Sequence, residues 1–331
     1  MTGTIERSRF RRIAACTLAL GLLLCAPVRA QLPEDAASAV APLPAATTLE
    51  FDWHDPLRGR AVPVRLYLPS TEPATRMPLV VFSHGIGGSR RGYSYLGNHF
   101  AANGIAALHV QHVGSDRTLW MGSPLGLVGR LRDAAQEREA VDRALDLRFA
   151  LDQLLASDAG KVIDRDNLVV AGHSYGANTA LLAAGARVER DGRVVDYRDA
   201  RYRAAILISA PPFYGESEPS RILGHVTVPT LHITATEDVI QIPGYYSGAA
   251  DRIAVFEAIG SSSKTLAVFS GGSHSIFTDR PGTGGAQLNP QVKAATRELT
   301  LAFIRQVFGD RQDTLRAWSE RHRSILALFV R

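Results

Sequence analysis

Cysteine is nearly missing from this chain of 331 residues: there are two, Cys16 and Cys25. So few exclude a disulfide-dense scaffold and a cysteine-rich zinc or iron–sulfur site. The phosphate-cradle pattern G-x-x-x-x-G-K-[ST] does not occur, and with it goes the simplest reading of the glycine-rich stretches as phosphate sites. No internal repeat is visible, and no linker divides residues 47–331. The apolar run from Ile13 to about Val28 is too short for a comfortable membrane span. Hydrophobic residues at 46% and charged residues at 21% are ordinary globular values, which exclude a mainly disordered or fibrous chain.

The net charge of +5 invites a nucleic-acid or membrane-surface reading only if the charge sits on the folded part. It does not. Arg7, Arg9, Arg11 and Arg12 precede the apolar run, and Val28-Arg29-Ala30 follows it, with compact residues at −3 and −1 before Gln31. This is the pattern of a secretory signal peptide cleaved after Ala30. An uncleaved anchor is the alternative. Leu24 is too bulky for lipoprotein processing at Cys25, and Arg11-Arg12 lacks the rest of a twin-arginine pattern. Removing residues 1–30 takes away five arginines, one glutamate and both cysteines, leaving 32 basic against 31 acidic residues and a charge of +1. The expected product is a periplasmic or secreted, cysteine-free chain with no stable membrane span and no case for a nucleic-acid partner.

Residues 31–46, rich in Ala and Pro, read as a flexible leader. Beyond them, segments of strand and helix character alternate, which predicts an α/β domain over 47–331 with a mostly parallel central sheet and helices on both faces. Residues 47–53 and 61–68 predict a hairpin around Asp55-Pro56-Leu57-Arg58-Gly59. The unbroken apolar runs 78–83, 105–110, 168–171 and 204–209 predict strands buried on both faces, continued by 230–234 and 265–269. Apolar stripes predict helices over 134–156, 291–308 and 313–329, the first with its Arg and Asp residues opposite the stripe. The charged stretch 187–203, which includes Asp191, reads as a solvated loop.

Gly172-His173-Ser174-Tyr175-Gly176 follows the strand 168–171 and precedes the helix-compatible stretch 177–186. In such a strand-to-helix turn the glycines relieve crowding and the serine hydroxyl is lifted above the sheet at a helix N-terminus. A nucleophilic serine needs a base, and the base needs an orienting carboxylate. Asp238 follows the strand 230–234, and His274 follows the strand 265–269 within Gly271-Gly272-Ser273-His274-Ser275. Both sit past the carboxyl end of a sheet strand, where open α/β sheets build their sites. Glu237 and Asp279 are rival acids, and His225, His232 and His322 rival bases. A tetrahedral intermediate also needs backbone N–H donors. Tyr175 supplies one, and Ile86, in Ser83-His84-Gly85-Ile86-Gly87-Gly88, is the expected second.

His109 and His112 are three apart, on opposite faces of an extended strand, which disfavours joint metal ligation. His112, with Trp120 from the stretch 112–133, is expected to line a substrate pocket, and the rest of that stretch either lines it too or is packed surface. His84 and His173 are expected to bond locally within their tight loops. No metal or cofactor is expected.

Residues 78–88, Tyr93-Ser94-Tyr95-Leu96, Leu147 to Leu154, Ala171 to Gly176, and the surroundings of Asp238 and His274 together resemble bacterial α/β-hydrolases of the predicted dienelactone hydrolase type, close to the platelet-activating-factor acetylhydrolase group. The resemblance covers roughly residues 60–308 and implies an α/β-hydrolase fold and metal-free hydrolysis of small or short-chain acyl esters, including lipid-like ones. Dienelactone hydrolases use a cysteine nucleophile, whereas Ser174 stands here, which favours ordinary serine esterase chemistry. A polyester depolymerase, lipase, thioesterase or peptidase of the same fold is the alternative; a non-catalytic binding module is the remote one.

Overall fold

The computed structural model describes residues 46–331, except 72–74, 191, 243 and 310–312. The expected signal segment, all but the last residue of the leader, and Asp191 therefore lie outside the described residues.

The apolar runs become strands with two buried faces. Along Met77–Ser83, Leu79 and Val81 join one core cluster while Val80 and Phe82 join the other. Leu168 and Val170 against Val169 and Ala171, and Ala205 and Leu207 against Ile206 and Ile208, divide the same way. A residue pattern without alternation is what a sheet covered on both sides requires. One cover is made by the helices Glu137–Ala156 and Tyr175–Ala184, through Leu147, Leu151, Leu154, Ala177 and Leu181. The other is made by Ser94–Ala102 and Leu288–Val307, through Leu96, Phe100, Val292 and Leu299.

The described sheet has nine strands. Thr47–Asp55 and Arg60–Leu68 form the expected antiparallel hairpin. Then follow Ala106–Val110, Met77–Ser83, Ile163–His173, Tyr202–Ile208, Thr230–Glu237 and Lys264–Ser273, parallel to one another. Leu326–Val330 closes the far edge, antiparallel to Lys264–Ser273. The central strands all point their carboxyl ends the same way, so the loops after Ser83, His173, Glu237 and Ser273 gather at one edge.

Three expectations need correction. The helix predicted over 313–329 stops at Arg321, and Leu326–Val330 is a strand. Ile325 and Phe329 kept the helical period, but the unpaired edge of Lys264–Ser273 pairs with Leu326, Leu328, Phe329 and Val330, the register shifting around Ala327, and that tertiary gain overrides the pattern. The helix predicted over 134–156 begins at Glu137, and Ala134 instead closes a separate helix, Leu127–Ala134. The stretch 187–203 contains a small hairpin, Arg187–Arg190 with Arg193–Asp196, fastened by an Arg187 Nε–Asp196 Oδ2 pair of 3.0 Å. No described helix is long and apolar enough to cross a membrane.

Leu151 is fully buried between Glu137–Ala156 and the sheet. Leu151→Ala should lower the unfolding free energy by about 2–5 kcal/mol, measured by urea denaturation, with the shape of the transition unchanged.

Candidate active site

The strand Ile163–His173 ends in a turn that only particular residues can make. Ser174 stands at φ 55°, ψ −124°, a conformation costly for any side chain. Its neighbours explain why it holds. A Cβ on Gly172 would collide with the Gly176 carbonyl, and one on Gly176 with the Ser83 carbonyl. The Ser174 N–H donates to the Ile208 carbonyl at 2.9 Å, tying the turn to the next strand. The helix Tyr175–Ala184 starts immediately after, so Ser174 occupies its N-cap position.

The structure brings Ser174, His274 and Asp238 together. His274 Nε2 lies 2.7 Å from Ser174 Oγ, and His274 Nδ1 lies 2.7 Å from Asp238 Oδ1. A neutral imidazole with Nδ1–H donating to the carboxylate leaves Nε2 to accept the serine proton. Asp238 is fully buried, yet its carboxyl is held well below the usual range: burial pushes it up, and the His274 bond together with the Arg252 guanidinium, 3.5 Å away, outweighs that. Thr234 Oγ1 donates 2.7 Å to its other oxygen. Ser174 is 5% exposed, open enough to meet a ligand and dry enough to strengthen local electrostatics.

None of the rival residues hydrogen-bonds to the Ser174 or His274 side chain among the described residues. Glu237 is exposed, and Asp279 accepts from the Ser94 N–H at 2.8 Å. His225 is exposed, His232 is buried beside Thr230, and His322 pairs with Glu298 at 2.8 Å.

Ile86 and Tyr175 both line the cavity around Ser174, and neither backbone N–H donates to another group among the described residues. Tyr175 is the first residue of its helix, where an N–H has no intrahelical acceptor. The loop carrying Ile86 is braced from both sides. Gly87 N–H donates to the Ser115 carbonyl at 2.8 Å, and Trp120 Nε1 donates to the Gly87 carbonyl at 2.8 Å. Trp120 lines the cleft beside Ser174 and His274.

His112 does not. It is fully buried in a second Ser–His–Asp series: Ser83 Oγ lies 2.8 Å from its Nε2, and Asp146 Oδ2 lies 3.0 Å from its Nδ1. All three side chains are fully buried, and Arg143 Nη2 donates to Ser83 Oγ at 3.1 Å, so this series cross-links and meets no ligand. His109 lies between Tyr67 and Phe82 and bonds the Gly92 carbonyl, away from His112's partners.

Four residues of this neighbourhood escaped sequence reasoning. Arg143 and Asp146, expected on the solvent side of their helix, are fully buried. Arg143 donates to Thr179 Oγ1, Ser115 Oγ, Ser83 Oγ and the His84 carbonyl, and lies over the Tyr175 ring. Tyr93 Oη is 2.8 Å from His173 Nδ1 and accepts from the Gly85 N–H, while His173 Nε2 donates to the His274 carbonyl at 3.0 Å. Burial, with His274 beside it, pushes His173 down to about 3, so it stays neutral and keeps this chain of bonds in one direction. Its partners are distant in sequence, not local as expected. Arg252 is the fourth, at Asp238. The Glu139-x3-Arg143-x2-Asp146 spacing was the available signal, but a charged stripe ordinarily faces water.

Residues 61–119 match the family described as platelet-activating factor acetylhydrolase, isoform II. The chain is 28% identical over 186 residues to the platelet-activating factor acetylhydrolase of Bos taurus, an alignment covering 44% of this chain and 38% of that protein. It therefore spans about two fifths of the length of that curated relative. Among solved structures, the ferulic acid esterase of Streptomyces cinnamoneus superposes with a TM-score of 0.61 at 22% identity, over 89% of this chain and 98% of the other. The dienelactone hydrolase of Anabaena variabilis superposes with a TM-score of 0.50 at 21% identity, over 77% and 97%.

Acid stability tests the charge state of Asp238. Because its folded-state pKa is depressed, the unfolded chain binds more protons below the unfolded value of about 3.9, and stability falls as pH drops through that range. Thermal melts from pH 5 to pH 2 should show this decline, and Asp238→Asn should make it shallower. The fold is that of the α/β-hydrolases, and over residues 61–119 the chain is similar to the platelet-activating factor acetylhydrolases.

Proposed function

We propose that the protein is an exported serine hydrolase of carboxylic esters, in which Ser174, His274 and Asp238 form the catalytic triad. The 2.7 Å contacts on both sides of the His274 ring carry this reading. Ser174 Oγ attacks the acyl carbonyl while His274 Nε2 takes its proton, and Asp238 holds the ring in the required tautomer. The oxyanion sits on the N–H groups of Ile86 and Tyr175. Collapse breaks the bond to the alcohol, which takes the proton from His274, and leaves an acyl ester on Ser174. Water, deprotonated by His274, then attacks that ester and releases the acid and the free serine.

Small or lipid-like esters are the proposed substrate class, supported by the similarity to a platelet-activating factor acetylhydrolase and by esterases among the fold's neighbours. Export is supported by the arginine-rich start, the apolar run and the cysteine-free remainder of the chain. N-terminal sequencing of the protein recovered outside the cytoplasm should begin at Gln31.

Kinetics on p-nitrophenyl acetate test the triad. Ser174→Ala should lose several orders of magnitude in kcat, and Asp238→Asn about four, with both variants folded. Full activity in Ser174→Ala would overturn the proposal. A panel of thioester, amide and polymer substrates at equal acyl size separates ester hydrolysis from the other chemistries of this fold.

A further inference from the structure

Ser174 opens in two directions. Toward the loop that follows His274 there is a cleft of about 440 Å³, lined by Arg117, Trp120, Thr278, Asp279 and Arg280. On the Tyr175 side lies a chamber of about 260 Å³ whose walls include Leu131, Val239, Ile240 and Ile242. Beyond it is a further cavity of about 360 Å³ that contains no member of the triad, and no step of the reaction above uses it.

The two cavities on the Tyr175 side share Ala135, Tyr175, Tyr214 and Tyr245 as wall residues. Tyr214 is held in place: its Oη donates to the Tyr245 carbonyl at 2.9 Å and lies 2.7 Å from Ser247 Oγ. The Tyr214 and Tyr245 rings meet edge to face with centroids 5.2 Å apart. They form a fixed aromatic waist between the chamber at Ser174 and the cavity behind it. Past the waist Ala140, Val141, Leu182, Val188 and Phe213 supply apolar wall, and Gln136, Asn178 and Thr179 supply uncharged polar groups beside it. Among the described residues lining this cavity the one cation, Arg190, is matched by Glu137 at 2.9 Å and Glu216 at 2.7 Å, so these walls offer no free charge to an anionic ligand.

We propose that the cavity behind Tyr214 and Tyr245 is an acyl subsite that takes an extended apolar acyl group, a medium-length alkyl chain or a single ring. The inference rests on the ester-hydrolase reading. The side is set by the chemistry of His274, which must hand its proton to the departing alkoxide. His274 and Ser275 border both the cleft and the chamber, but of the two the segment after them, Thr278 to Arg280, lines only the cleft and Tyr175 lines only the chamber, so the alcohol leaves toward the cleft. The acyl group, attached to the carbon whose oxyanion rests on the Tyr175 N–H, runs the other way, over Tyr175 and through the waist. Volumes in this range suit a small ligand arm, and apolar walls with few polar groups are the usual lining of such sites.

Two series of esters test this, one varying the acyl group on p-nitrophenol from acetate through hexanoate and benzoate, the other varying the alcohol of an acetate. In the wild-type protein kcat/KM should rise from acetate to hexanoate by about fourfold per methylene buried. Ala140→Phe, which fills the cavity, should lower the hexanoate-to-acetate ratio at least tenfold, and Tyr214→Ala, which opens the waist, should extend the preferred acyl length. Either variant suffices if the other fails to fold. An unchanged acyl ratio in the folded variants, or a change confined to the alcohol series, would overturn the subsite. Absence of hydrolysis of any ester by the wild-type protein would instead overturn the ester-hydrolase reading, and the acyl assignment with it.

Discussion

Ser174 holds a backbone conformation that nothing in its own chemistry favours, and the rest of the site is built around keeping it there. The turn closes only if Gly172 and Gly176 bring backbone against backbone without an intervening Cβ. That close approach fixes the helix Tyr175–Ala184 against the strand Met77–Ser83, which leaves the Tyr175 N–H without an acceptor among the described residues and brings the Ile86 loop to the same place. A single steric constraint thus sets the serine, the helix terminus and both amide donors together. Parallel strands complete the arrangement, because Asp238 and His274 follow neighbouring strands whose carboxyl ends lie at the same edge.

Beneath this turn lies a polar cluster that a simple hydrophobic core would not contain. Arg143 is a fully buried cation that meets four acceptors and the Tyr175 ring, yet desolvation still outweighs them and pushes its guanidinium down to about 10. His112 bridges Ser83 to Asp146, and Asp146 in turn meets Arg60 from the first hairpin at 3.1 Å. Groups of this kind are costly when any partner is missing and rigid when all are present. The cluster therefore fixes the loop after Ser83 relative to the helix after Ser174. Tyr93 and His173 make the corresponding link on the other side, from the Gly85 amide to the His274 carbonyl.

Much of this was legible in the sequence where one residue pattern has one physical solution. Uninterrupted runs such as Leu79 to Phe82 admit little besides a strand covered on both faces, and Gly172 to Gly176 between such a strand and a helix admits few turns. Asp238 and His274 were readable from their places after strands. What escaped was decided by partners far away in the chain. Leu326–Val330 carries a spacing compatible with a helix, and only the open edge of Lys264–Ser273 makes it a strand. Arg143 and Asp146 look solvent-facing until Ser83, Ser115, Thr179 and His112 are seen around them. His112 lies close in sequence to the pocket-lining stretch, but its hydrogen bonds turn it inward.

The central claim is that Ser174 is a nucleophile activated by His274. The most direct measurement is mass spectrometry of the protein after exposure to a fluorophosphonate, followed by peptide mapping. The account predicts one stoichiometric adduct, on the peptide carrying Ser174, formed rapidly in the wild-type protein and abolished when His274 is replaced by alanine. An unlabelled Ser174, or an adduct that forms equally fast without His274, would contradict it.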